Sequence, residues 1–112
     1  MKAIIDGLRY DTKKADMVGK QANNYAGVGE DKDHPMYWTA ALYVTASGRY
    51  FLAGSGNRES ELAAYADREM GNAHGFRNEI LPVTEGQAFQ WCCRNQQLDV
   101  TEAEFEHLIE DA

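Results

Sequence analysis

The run Leu42-Tyr43-Val44-Thr45-Ala46-Ser47-Gly48-Arg49-Tyr50-Phe51-Leu52-Ala53-Gly54 constrains the fold more than any other segment. Two stretches of aromatic, β-branched and apolar residues flank a short break at Ser47-Gly48, which is the sequence form of a β-hairpin. In the first arm, about residues 37–45, Trp38, Ala40, Leu42 and Val44 share one face, and Tyr37, Thr39, Ala41, Tyr43 and Thr45 the other. The first face is the more apolar and is expected to meet helices. The return arm covers about 49–54 and ends at Gly54-Ser55-Gly56-Asn57. An isolated hairpin is marginal in water, so other segments must cover at least one of its faces.

The flanking patterns point to an α+β fold, a small antiparallel sheet packed by three to four helices. Ala3-Ile4-Ile5 and Leu8-Arg9-Tyr10 enclose Asp6-Gly7, a two-residue turn signal that predicts a small N-terminal hairpin. Ala15, Val18 and Ala22 recur at helical spacing and predict a helix over about 12–23, capped by Asp11 or Thr12. Residues 23–35 are loop-like in composition. Leu62, Ala63, Tyr65, Ala66 and Met70 predict a helix over about 58–70. Glu79 to Val83 reads as a short strand ended by Pro82. Thr84-Glu85-Gly86-Gln87 has the form of a capping box opening a helix over about 84–96. Thr101-Glu102-Ala103-Glu104 has the same form, with Val100 and Phe105 placed as a hydrophobic staple, and predicts a last helix over about 101–110.

At 112 residues with 44% hydrophobic side chains, residues 1–112 suffice for one small globular domain with a modest core. No run approaches the ~18 apolar residues that span a bilayer. The opening residues meet a charge at Lys2 and again at Asp6, before a signal-peptide core can form. A cytoplasmic, membrane-free protein is therefore expected. The net charge of −7 is unevenly spread: residues 1–20 carry five basic and three acidic side chains. Residues 99–112 carry Asp99, Glu102, Glu104, Glu106, Glu110 and Asp111 with no lysine or arginine. Phosphate backbones repel such a chain, which argues against direct nucleic-acid binding. An acidic face suits instead a protein partner with a basic surface.

Catalytic and metal chemistry finds no convincing constellation. Cys92 and Cys93 are the only cysteines, a disulfide between neighbours is strained, and both read as reduced thiols in a helix. His34, His74 and His107 are scattered, without metal-ligand spacing. Gly54-Ser55-Gly56-Asn57 lacks the lysine of a P-loop and reads as a turn before a helix. Ser47, Ser55 and Ser60 lack a nucleophile-elbow context. Glutamates two apart, as in Glu102, Glu104 and Glu106, point in different directions on a helix. No metal, no cofactor and no enzymatic activity are expected.

The hairpin run extended to Ser55-Gly56 resembles a motif in a poorly characterised family of small bacterial proteins found largely in phages and other mobile elements. Tyr10-Asp11-Thr12 with Ala15, Ile80-Leu81-Pro82-Val83-Thr84 with Ala88 and Trp91, and an acidic last helix carrying Phe105 are similar to that family in the same order. Ser55 and Asn57 depart from its pattern after the hairpin. The resemblance implies a small mobile-element protein, and by analogy of class an inhibitor of a host nucleic-acid-binding defence complex, as anti-CRISPR proteins are. The expected function is a non-enzymatic protein-binding module using Glu102, Glu104, Glu106, Glu110 and Asp111, with Tyr37, Tyr43 and Arg49 of the hairpin. The alternatives are a self-associating structural or regulatory domain and a small enzyme of unknown reaction. A homodimer would form through the hairpin edge or through Phe105 and Leu108.

Overall fold

The computed structural model describes residues 1–22, 37–57 and 76–112. Strands β1 (Lys2–Ile5) and β2 (Leu8–Asp11) form the expected N-terminal hairpin. Asp6 and Gly7, with φ of 51° and 78°, both lie in the left-handed region that a two-residue primed turn demands. Strands β3 (Asp16–Ala22), β4 (Trp38–Val44), β5 (Tyr50–Gly56) and β6 (Phe76–Val83) form a four-stranded antiparallel sheet in chain order.

The predicted central hairpin is β4–β5, with Leu42 opposite Leu52 and Tyr43 opposite Phe51. Its turn is closed by the Gly48 amide donating to Thr45 O at 2.9 Å and the Thr45 amide donating to Arg49 O at 2.8 Å. Gly48, at φ 86°, supplies the left-handed residue that a three-residue loop of this kind needs. β5 runs on to Gly56, so Gly54-Ser55-Gly56 is strand and not the turn expected there. Pro82 lies within β6, opposite Phe51, and is tolerated because β6 is the outer strand of the described sheet.

Two α-helices follow: α1 (Glu85–Asn95) and α2 (Leu98–Phe105), with a 3₁₀ turn over Glu106–Leu108. The capping box of α1 is present, with the Gln87 amide donating to Thr84 Oγ1 and the Thr84 amide to Gln87 Oε1. The second predicted box is absent. α2 begins at Leu98, so Thr101 lies inside it and its hydroxyl donates to Gln97 O at 3.4 Å. The helix predicted over 58–70 falls outside the described residues. Among the described residues there are two α-helices, fewer than the three to four expected.

The helix predicted over 12–23 is replaced by strand β3. A bulge between Met17 and Gly19 inserts an extra residue into the β3–β4 ladder. Val18 packs against the helix-side core, whereas Ala15 packs against the opposite cluster. Ala15 precedes β3 and lies on the opposite side from Val18, so the three-to-four spacing that imitates a helix does not mark a single face. Gly19 lowers the cost of the alternative, since glycine in a helix interior costs about 1 kcal/mol relative to alanine.

The sheet is buried on both faces. Trp38, Ala40, Leu42, Tyr50, Leu52 and Leu81 pack with Ala88 and Cys92 of α1 and Phe105 of α2. On the other side Phe51, Ala53 and Ile80 pack with Tyr10 of β2, flanked by Ala3, Ile5 and Leu8. The result is three layers: the β1–β2 hairpin, the main sheet, and the helices. The face division expected for residues 37–45 holds, with Trp38, Ala40, Leu42 and Val44 on the helix side.

Close approach of β4 to β5 depends on Gly54. A Cβ there would overlap Thr39 O and lie 2.7 Å from Ala40 Cα, both backbone atoms that cannot step aside. Gly54→Ala is expected to destabilise the fold by about 2–3 kcal/mol. Gly86, in the first turn of α1, has open space around its Cβ position, the nearest atom being Thr84 Oγ1 at 3.9 Å. Gly86→Ala is expected to be neutral or to stabilise by up to about 1 kcal/mol. Urea denaturation of the two variants measures the contrast, and equal effects would contradict it.

Candidate partner-binding surface

The acidic segment is fixed to the sheet by a small set of contacts. Phe105 is fully buried, with ring centroids 5.4 Å from Tyr50 and 5.5 Å from Phe89. The Tyr50 hydroxyl donates to Glu104 Oε1 at 2.7 Å, tying α2 to β5. His107 Nε2 lies 3.0 Å from Glu85 Oε2, joining the 3₁₀ turn to the start of α1 across an exposed pair. At the other end of α1, Gln21 Nε2 donates to Asn95 O and Gln96 Nε2 donates to Lys20 O, each at 3.1 Å.

Thr101 and Phe105 are one helical turn apart and point into the protein, so the opposite side of α2 faces water. Asp99, Glu102 and Glu106, spaced three and four residues apart, are exposed, as are Glu110 and Asp111. Of the predicted surface residues, Glu102, Glu106, Glu110 and Asp111 therefore lie on one accessible C-terminal segment. Glu104 is half-buried, and its carboxylate is engaged by Tyr50.

The hairpin residues do not join that surface as a group. Tyr43 is half-buried and stacked on Phe51, with centroids 5.2 Å apart and planes at 11°. It packs against the cluster on the sheet face away from α2. Tyr37 is half-buried just before β4, and Arg49 is exposed at the β4–β5 turn. Trp38, Tyr50 and Phe51 are core residues, so most of the hairpin's aromatic content serves packing. Both edges of the β4–β5 hairpin are paired, by β3 and β6, and Phe105 is buried in its own core. Neither the hairpin edge nor Phe105 is therefore free to meet a second copy, whereas Leu108 is exposed.

Sequence reasoning missed two features. Trp38 Nε1 is buried with no hydrogen-bond partner among the described residues, an arrangement that costs about 1–3 kcal/mol. The Tyr50–Glu104 bond was also invisible, because no local pattern links residues 54 positions apart. Cys92 is buried and Cys93 exposed on α1. Among the described residues, no group of three or more histidine, cysteine, aspartate or glutamate side chains is placed to hold a metal ion. His34 and His74 lie outside those residues. Among them, too, no helix is long and apolar enough to cross a membrane. No family model matches the chain, and neither a curated protein nor a solved structure with significant similarity to it was found.

Burial pushes the Cys92 thiol up to about 11, with smaller contributions from Cys93 and Glu104. Burial and the Glu104 carboxylate together hold the Tyr50 hydroxyl well above the usual tyrosine range. Both groups are thus favoured in their neutral forms by folding. Their contribution is fully present below the unfolded values, about 8.5 for cysteine and about 10 for tyrosine, and is lost as pH rises toward the folded ones. Stability of the wild type is expected to fall above about pH 9. Tyr50→Phe is expected to cost about 1–2 kcal/mol at neutral pH and to flatten the decline above about pH 10. Thermal melts across pH 7–11 measure both effects, and an unchanged alkaline slope in Tyr50→Phe would contradict the assignment.

Proposed function

We propose that this chain is a non-enzymatic protein-binding module whose C-terminal acidic segment docks on a basic surface of a protein partner. The observation that supports this reading most strongly is the division of labour along α2 and the residues after it. Phe105 and Glu104 anchor the helix to the sheet, and Asp99 and Glu102 of α2, Glu106 of the 3₁₀ turn, and Glu110 and Asp111 beyond it are left to water. Carboxylates held on a fixed scaffold form a persistent negative surface, with less ordering entropy to lose on binding than a floppy tail.

The most useful partner for such a surface is one whose basic groove binds nucleic acid. The carboxylates would occupy the positions that phosphates take and compete with them electrostatically. An inhibitor of a host nucleic-acid-binding complex, the role suggested by the resemblance to phage and mobile-element proteins, would act in this way.

The test compares wild type with a Glu102→Gln/Glu106→Gln/Glu110→Gln variant as bait in host lysate, at low and high salt. The expected result is a nucleic-acid-binding partner that wild type retains at low salt and releases at high salt or on adding nucleic acid. Its affinity for the triple variant is expected to be about 3- to 150-fold lower, since each of the three exposed charges contributes about 0.2–1 kcal/mol. Undiminished affinity for the triple variant would overturn the reading.

A further inference from the structure

The three-layer fold separates charge across the main sheet. Residues 1–15, the β1–β2 hairpin and its exit, carry Lys2, Arg9, Lys13 and Lys14 against Asp6 and Asp11, a net of +2. Residues 84–112, the helical layer, carry Arg94 against seven carboxylates, a net of −6 with histidine neutral. The two layers pack on opposite faces of the same sheet. Among the described residues, these two layers therefore set opposite net charge on the two sides of the sheet.

Among the described residues, none packs over the outer face of the hairpin, where Lys2, Ile4 and Arg9 are exposed. Ala3 pairs with Tyr10 and Ile5 with Leu8, and these residues turn inward. Lys2, Ile4 and Arg9 alternate with them and are exposed, with Ile4 opposite Arg9; Lys2 lies opposite the half-buried Asp11, so this face carries two cations and one carboxylate. Ile4 is 70% exposed although it sits in mid-strand. The helical layer carries a matching arrangement of opposite sign. Leu98, 73% exposed, lies one turn from Glu102 and next to Asp99. Each layer thus has an exposed aliphatic side chain beside charges of a single predominant sign, the composition of a small interface with an apolar centre and a charged rim.

The charge geometry points to a second copy of the chain as the occupant of the hairpin face. The outer side of β1–β2 docks on the Leu98–Glu106 surface of another molecule, head to tail. Because the two surfaces differ, the contact is heterologous and leaves a free hairpin at one end and a free acidic surface at the other, so assembly continues unless the rotation closes a ring. The net charge of −7 on each copy opposes association, but the facing charges act within a screening length of about 8 Å at physiological salt, whereas repulsion between whole bodies is largely screened. This inference shares the acidic surface with the proposed function but names a different occupant, so self-assembly and partner binding compete.

Sedimentation velocity over a wide concentration range tests it, on wild type, on Lys2→Glu/Arg9→Glu and on Glu102→Lys/Glu106→Lys. The expected result is wild-type association that grows with concentration and is lost at high salt. Each double variant alone is expected to associate about tenfold or more weakly. An equimolar mixture of the two is expected to recover association, since each acidic hairpin meets a basic helical surface. All substituted side chains are exposed, and circular dichroism confirms that the variants fold. A wild type that stays monomeric, variants that associate like wild type, or a mixture that fails to recover would each overturn the inference. Failure here leaves the partner reading standing, because the Lys2→Glu/Arg9→Glu chain still offers the same carboxylates.

Discussion

Burial of the β4–β5 hairpin on both faces is the constraint on which the rest of the structure depends. Leu42 and Leu52 on one side and Phe51 on the other are almost wholly removed from water. A sheet with two apolar faces needs two covers, and the chain supplies one from each end. The N-terminal hairpin brings Tyr10 against Phe51, with ring centroids 5.4 Å apart in an edge-on arrangement. The C-terminal helices bring Ala88, Cys92 and Phe105 against the leucines. Burying side chains of this size stabilises by about 1.5–3 kcal/mol each, enough to order short elements that would not persist alone.

The two covers carry opposite net charge. α2 spans only eight residues and is too short to be stable in isolation. Phe105, between Tyr50 and Phe89, and the Tyr50–Glu104 hydrogen bond hold it in place. The packing that completes the core thereby also displays Asp99, Glu102 and Glu106 in a fixed row. A negative surface made this way is an outcome of folding, not an appended tail, and a substitution at Phe105 or Tyr50 would reach the surface through the core.

Much of this architecture was legible in the residues. Asp6-Gly7 and Ser47-Gly48 announced both hairpins because their turns require left-handed backbone. Alternation placed Trp38, Ala40, Leu42 and Val44 on the helix side, and Thr84 with Gln87 announced α1. β3 was not legible, because Ala15, Val18 and Ala22 fall at helical spacing and only pairing with β4 decides otherwise. Thr101 imitated a cap for a similar reason: its hydroxyl meets Gln97 O from within the helix. At the surface, the row of carboxylates was visible in the composition of the last segment. The diversion of Glu104 to Tyr50, and of Tyr43 to Phe51 on the far side of the sheet, arises from contacts distant in sequence.

The acidic surface persists only if α2 is a fixed part of the fold. Native-state hydrogen exchange of the Glu102–Phe105 amides measures this most directly. If Phe105 and the Tyr50–Glu104 bond anchor the helix, these amides exchange about as slowly as those of β4 and β5, through global unfolding. Exchange at the rate of a fraying chain end, with β4 and β5 still protected, would contradict the account.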